Sequence, residues 1–333
     1  MRHRLLRSFG IVALVGAAFA VTACTADATA SEPASEPPAT AGYPLTVDNC
    51  GTAVTFDRAP ERVLAIKSTS TEMMLALGLQ DRLIGTAFSD GPVSEEWADR
   101  ADGIPVIDEK VPGQEAVLDL EPDLVYAGWE SNVTAEGAGD RGTLASLGVN
   151  TYVSPAACQE PGYQPESLTF DDVLAEIDQA GTIFDASDAA TELIDDLRAR
   201  LDALTPDNRG LSALWFSSGS DTPFVGGGIG APQMIMDAAG LTNIAADIDE
   251  TWSSMSWETV VDTNPDVIVL VDSAWGSTEK KIGVLEANPA TAQLPAVVNR
   301  RYLIVPFATT EAGVRNVEAV ETLLAQLAEV PSP

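Results

Sequence analysis

Four short apolar runs, Val63–Ile66, Leu83–Ile84, Leu124–Tyr126 and Thr151–Val153, show no polar alternation, the pattern of strands buried on both faces. They alternate with the helical stretches Glu72–Leu79 and Arg141–Leu147. The second half repeats the pattern with strands at Leu211–Phe216, Val267–Val271 and Tyr302–Val305, and helices around Pro232–Ala239, Trp257–Val261 and Val317–Leu327. Strand, helix, strand in succession predicts an α/β protein of two Rossmann-like lobes with central, mostly parallel sheets. Loops at the carboxyl ends of such strands form the ligand site. Between the lobes, Phe170–Phe184 reads as helical. Ser187 then caps a helix carrying Leu193, Ile194, Leu197, Leu201 and Leu204, which Thr205-Pro206 ends. At about 1.5 Å per residue this single long helix spans roughly 28 Å and limits relative motion of the lobes.

One phrase occurs twice. Glu115 stands seven residues before Pro122-Asp123, and Glu258 stands seven before Pro265-Asp266, a constant offset of 143 (258 − 115 and 265 − 122). In each copy a helix is stopped by a proline that cannot continue it, and a buried strand follows. Two similar lobes with a surface carboxylate at each matching position suggest a clamp that presents two charges to a partner.

The chain has 333 residues, 45% hydrophobic and 6% aromatic, enough for a core in each lobe. Its 18 basic and 50 acidic side chains give a formal charge of −32, which repels nucleic acid and anionic lipid. The basic opening Arg2-His3-Arg4-Leu5-Leu6-Arg7 and the apolar Phe9–Val21, too short for a comfortable membrane span, read as an export leader over residues 1–23. Val21-Thr22-Ala23-Cys24 resembles the bacterial lipobox, which makes Cys24 an acylation site. Residues 24–42, rich in Ala, Thr, Ser, Glu and Pro, form a solvated tether. The folded part divides into a first lobe, 43–168, connecting helices, 169–206, and a second lobe, 207–330. Cys50 and Cys158 are the cysteines left over; an exported chain pairs two such thiols or buries both unpaired. Closing that loop stabilises by roughly 4–5 kcal/mol in the chain-entropy model.

The sole histidine, His3, lies in the leader, so the mature chain lacks a Ser-His-Asp or Cys-His unit and imidazole metal ligands. This argues against an enzyme, a bound metal or a resident cofactor. Gly226–Gly230 reads as a flexible turn into the helix at Pro232. Lys67, Ser68 and Thr69, with Ser70 and Thr71 after them, sit where a strand passes into a helix, which makes either an anion seat or an ordinary capping turn. Trp129 and Trp275 follow matching strands and can sandwich a flat ring. Trp252 and Trp257 lie beside the second glutamate, just before it, and face either the cleft or the core. Arg315, after the last strand, holds either a ligand carboxylate or phosphate, or a carboxylate of the protein.

From Tyr43 to Leu327 the chain resembles the class III, helical-backbone substrate-binding lipoproteins of bacterial ABC importers for cobalamin, ferric siderophores and haem. The motifs are the Glu115 and Glu258 phrases and Gly228–Ile244, which resembles that family's loop-helix segment ending in Gly-x-x-Asn. The resemblance implies that Glu115 and Glu258 dock on the permease. Thr46–Gly51, Lys67–Glu72, Tyr126–Asn132 and Thr310–Glu318 are similar to an actinobacterial subgroup assigned to the phosphorylated deazaflavin precursor of a redox coenzyme. It implies a monomeric receptor, lipid-anchored outside the cytoplasmic membrane, that passes a planar, anionic ligand to permease and ATPase subunits. A ferric-siderophore or cobalamin receptor, and an extracellular sensor without transport, are the alternatives.

Overall fold

A computed structural model describes residues 42–331. The leader, Cys24 and nearly all of the tether lie outside the described residues. The first lobe opens with an antiparallel hairpin, β1 (Leu45–Asn49) and β2 (Thr52–Phe56). Its sheet holds β3 (Val63–Ile66), β4 (Leu83–Ala87), β5 (Val106–Asp108), β6 (Leu124–Ala127) and β7 (Asn150–Val153), all parallel, in the order β5-β4-β3-β6-β7. The helices between them are α1 (Ser68–Ala76), α2 (Ala98–Ala101), α3 (Gln114–Asp119) and α4 (Arg141–Ser146). Period two explains the unbroken apolar runs. Val63, Ala65, Leu124 and Tyr126 pack on one face, and Leu64, Ile66, Val125 and Ala127 pack on the other. Both faces are covered, so each strand position contributes roughly 1.5–3 kcal/mol of burial where a large aliphatic side chain fills it.

Two helices, α5 (Phe170–Ile183) and α6 (Ser187–Ala203), join the lobes. Thr169 and Asp172 make the capping box of α5. Ser187 does not cap α6 as the sequence suggested. Ala186 holds that position without a side-chain bond, because Asp185 in a left-handed turn (φ 52°) reverses the chain directly out of α5. At 17 residues, α6 runs about 25 Å. Ala190, Ile194 and Leu197 lie in the first-lobe core, while Leu204 packs on the second, so this helix is the covalent crossing. Helix α5 doubles it, with Val173 in the second core and Ile177 and Ile183 in the first.

The second lobe contains β8 (Ser212–Ser218), β9 (Phe224–Gly226), α7 (Ala231–Ala239), β10 (Thr242–Asn243), β11 (Trp252–Ser254), α8 (Trp257–Thr263), β12 (Val267–Asp272), α9 (Thr278–Ala287), α10 (Pro295–Val298), β13 (Tyr302–Pro306) and α11 (Asn316–Leu327). The sheet order is β11-β9-β8-β12-β13, with β10 beside β8. Strands β8, β10, β12 and β13 are parallel; β9 and β11 add an antiparallel edge. The polar stretch that begins at Ser217 closes β8, and its residues from Gly219 to Pro223 form the reversal into β9. Cys50, in the β1–β2 turn, is bonded to Cys158 beyond β7 (S–S 2.03 Å), which fastens the hairpin to the first-lobe sheet.

Candidate functional site

The repeated phrase folds the same way in both lobes. Glu121 (φ 49°) and Asn264 (φ 47°), 143 residues apart, both take the left-handed conformation immediately before a buried proline. The aspartate after each proline then fastens the neighbouring strand. Asp123 accepts the backbone N–H groups of Glu61 and Arg62, each at 2.9 Å. Asp266 accepts the N–H and the hydroxyl of Ser212 at 2.9 and 2.8 Å. Helices α3 and α8 turn straight into β6 and β12, so their first turns lie toward the carboxyl ends of the sheets. Glu115 and Glu258 occupy those first turns, and both are exposed.

Lys67 is fully buried and has φ 89°, a conformation that non-glycine residues rarely adopt. The kink turns β3 directly into α1, which therefore starts at Ser68, four residues before the expected Glu72. Gly128 permits the close packing; a Cβ there would fall 2.6 Å from Thr69 Oγ1 and 2.7 Å from Lys67 Cβ. The ammonium pairs with buried Asp90 and lies 3.6 Å from the Trp129 ring centroid, 4.7 Å from Phe88 and 4.8 Å from Phe307. Asp90 also accepts the Ser68 N–H at 3.3 Å, and its own N–H donates to Ser68 Oγ at 2.9 Å. The Ser70 and Thr71 hydroxyls donate back to carbonyls at the end of β3. The proposed anion seat is thus filled by the protein's own carboxylate. No periodicity links position 90 to position 67, so the sequence carried no signal for this pair.

Arg315 is likewise engaged within the protein. Its guanidinium reaches Glu72 of α1 at 3.1 Å and Glu318 at 2.7 and 2.9 Å, and it is only 6% exposed. Glu72 also accepts the Ser94 N–H at 2.9 Å. Burial pushes the Glu72 carboxyl up to about 7, against the opposing pull of Arg315. This is an ion pair between lobes, with the carboxylate inside the first lobe rather than on the surface, and each of the three guanidinium nitrogens donates to a carboxylate of the protein.

The aromatic residues do converge. Trp129 and Trp275 line one groove of about 910 Å³, together with Phe88, Thr71, Ile104 and Val106. Phe307, unnoticed in the sequence, joins the rings: its centroid is 6.4 Å from Trp129, 5.1 Å from Trp275 and 6.0 Å from Trp252, the last stacked at 17°. Trp252 lies behind Phe307, stacked also on Phe224 at 6.4 Å and packed on the second-lobe core. Trp257 is a core residue whose indole N–H donates to the Ser220 carbonyl at 2.8 Å. Two contacts cross between lobes at this place: Trp129 Nε1 donates to Glu311 at 2.9 Å, and the Ala274 N–H donates to the Asp90 carbonyl at 3.0 Å. Burial raises the Glu311 carboxyl above its usual range, with Lys67 opposing. Among the described residues no group of three His, Cys, Asp or Glu side chains is placed to hold a metal ion.

Two α/β lobes on a helical connection, with an aromatic groove at their junction, define a binding protein. Residues 63–309 match the family model described as periplasmic binding protein, and the chain belongs to that family. It is 25% identical over 291 residues to an ABC transporter substrate-binding lipoprotein of Bacillus subtilis, covering 84% of each chain. It is 29% identical over 327 residues to a cobalamin-binding protein of Halobacterium salinarum, covering 93% of this chain and 78% of the relative. Among solved structures, one titled as an ABC-type Fe3+-hydroxamate transport system from Saccharomonospora viridis superposes with TM-score 0.75 at 30% identity, over 86% of this chain and 99% of that one.

Proposed function

We propose that the protein is the extracytoplasmic substrate-binding component of an ABC importer, anchored through acylated Cys24, and that it takes a flat organic ligand into the groove between Trp129 and Trp275. One observation carries this reading: two tryptophans from equivalent strand ends of the two lobes wall a single apolar groove. With Lys67 and Arg315 paired internally, exposed Lys110 on the groove rim is the cation left for an anionic substituent. A phosphorylated deazaflavin precursor suits such a groove: a planar tricycle between rings, a phosphate toward Lys110. The relatives' names favour a second reading, a corrinoid or a ferric siderophore in the same place. Glu115 and Glu258 then dock the loaded protein on the permease, and complementary charge there speeds encounter and fixes orientation.

The deciding experiment titrates the purified protein with a phosphorylated deazaflavin, cobalamin and a ferric hydroxamate, following tryptophan fluorescence. Saturable quenching by the deazaflavin, weakened at least about tenfold by Trp275→Ala, is the expected result. Saturation by cobalamin or the ferric hydroxamate without any by the deazaflavin would overturn the ligand and leave the class standing.

A further inference from the structure

A second cavity, of about 300 Å³, lies apart from the groove, between the β1–β2 turn, the segment after β7 and α5. Pro155, Pro165, Leu168 and the Cys50–Cys158 disulfide give it apolar walls. Helix α5 gives it a polar side, for Asp172, Glu176 and Gln179 recur at helical spacing along one face. Glu176 is 5% exposed and lies beside the Tyr126 and Ser154 hydroxyls. The ion pairs among the described residues belong to Lys67, Arg200, Arg209, Arg300 and Arg315, and none of them reaches Glu176.

A carboxyl held in an apolar place without a cation either keeps its proton or waits for a positive partner. Glu176 has room for such a partner because it lines a cavity many times larger than one water needs. Asp48 and Asp172, also in the lining, add negative charge, and no basic residue is among the lining side chains. The flat walls of proline and disulfide suit a compact apolar body behind a cationic head. Leu168 ties the cavity to the lobe junction: its N–H donates to the Ile229 carbonyl at 2.7 Å, and its side chain packs in the second-lobe core.

We propose that this cavity is a second ligand site, for a small organic cation whose amidinium or ammonium group pairs with Glu176. The site is independent of the groove, and its occupant contacts the segment that leads from the first lobe into α5.

Benzamidine is the probe, titrated by calorimetry and by ligand-observed NMR against the full-length protein and two variants. Glu176→Gln keeps the shape and removes the charge. Ala175→Trp, at an exposed lining position, leaves the carboxylate and blocks the space. Saturable binding that weakens at least about tenfold in each folded variant supports the site, since a charged amidinium–carboxylate hydrogen bond contributes on that order. Affinity should also fall from pH 8 to pH 6, because burial holds the carboxyl at about 7 and the cation needs its ionised form. Should Glu176→Gln fail to fold, Ala175→Trp decides. Absence of saturation, equal affinity in the folded variants, or displacement of benzamidine by a groove ligand would overturn the proposal.

Discussion

At their Pro-Asp turns the two lobes are interchangeable: a left-handed residue, a buried proline and an aspartate that fastens the next strand, 143 residues apart. At the groove they differ. Both lobes bring rings, Phe88 and Trp129 from the first and Phe307, Trp252 and Trp275 from the second, and the first sets its rings against a buried Lys67–Asp90 pair at the start of α1. Backbone geometry explains the contrast. A strand entry admits few solutions, so both copies keep the same one, while the strand ends face open space and can diverge. The second lobe nonetheless answers the first residue by residue, Arg315 to Glu72 and Glu311 to Trp129, so the divergence is complementary.

The largest test of lobe equivalence is charge reversal at both exposed glutamates. Glu115→Arg combined with Glu258→Arg should abolish uptake of the ligand while its affinity, read by tryptophan quenching, stays within about twofold. Each single reversal should leave an equal, intermediate uptake if the lobes dock alike. Lost affinity with normal transport would place these residues in the groove instead.

Next in size is the charged side of the groove. Asp90→Ala leaves the Lys67 ammonium buried with three rings and no carboxylate partner of its own, and should cost about 3–5 kcal/mol in urea unfolding. A cost under about 1 kcal/mol would mean that Lys67 turns outward, restoring the anion seat that the sequence suggested.

Acidity gives a third handle. Burial raises Glu72 and Glu176 from 4.5 to about 7, so between those values the folded chain holds protons that the unfolded chain has released. The favourable contribution is therefore complete below about pH 4.5 and lost as pH rises through 7, on the order of 3 kcal/mol for each carboxyl. Glu176→Gln mimics the protonated form and should flatten its share of that decline. An unchanged slope in chemical-denaturation series from pH 5 to pH 8 would contradict the assignment.

These contrasts follow what could be read from the residues. The buried strands were legible because an unbroken run such as Val267–Val271 leaves no polar face, and the turn repeat was legible because proline constrains its neighbours. The β1–β2 hairpin, edge strand β5 and the short strands β9 and β11 were not, since three to five half-exposed residues carry little periodic signal. Among the groove-lining residues, Trp129 and Trp275 were legible together through their positions after matching strands. Asp90, Phe307 and Glu311 were missed because their partners lie 23 to 240 residues away, and only the fold brings them together (90 − 67 and 307 − 67).

The finest comparison concerns the turns themselves. Asp123→Ala and Asp266→Ala each remove the acceptor of two hydrogen bonds at a strand entry, and each should cost about 1–2 kcal/mol. They should not match fully. The Asp266 bonds are half-buried, so Ser212 has less water to replace the lost acceptor, whereas the Asp123 bonds are exposed. Arg62 further secures the first turn, its guanidinium donating to the Glu121 and Leu120 carbonyls at 2.8 and 2.6 Å. Differential scanning calorimetry should therefore show the larger fall for Asp266→Ala, and a first-lobe penalty that grows when Arg62→Ala is added. If Asp123→Ala proves the costlier change, the two turns share a shape but not a mechanical role, and the equivalence of the lobes ends at their backbone.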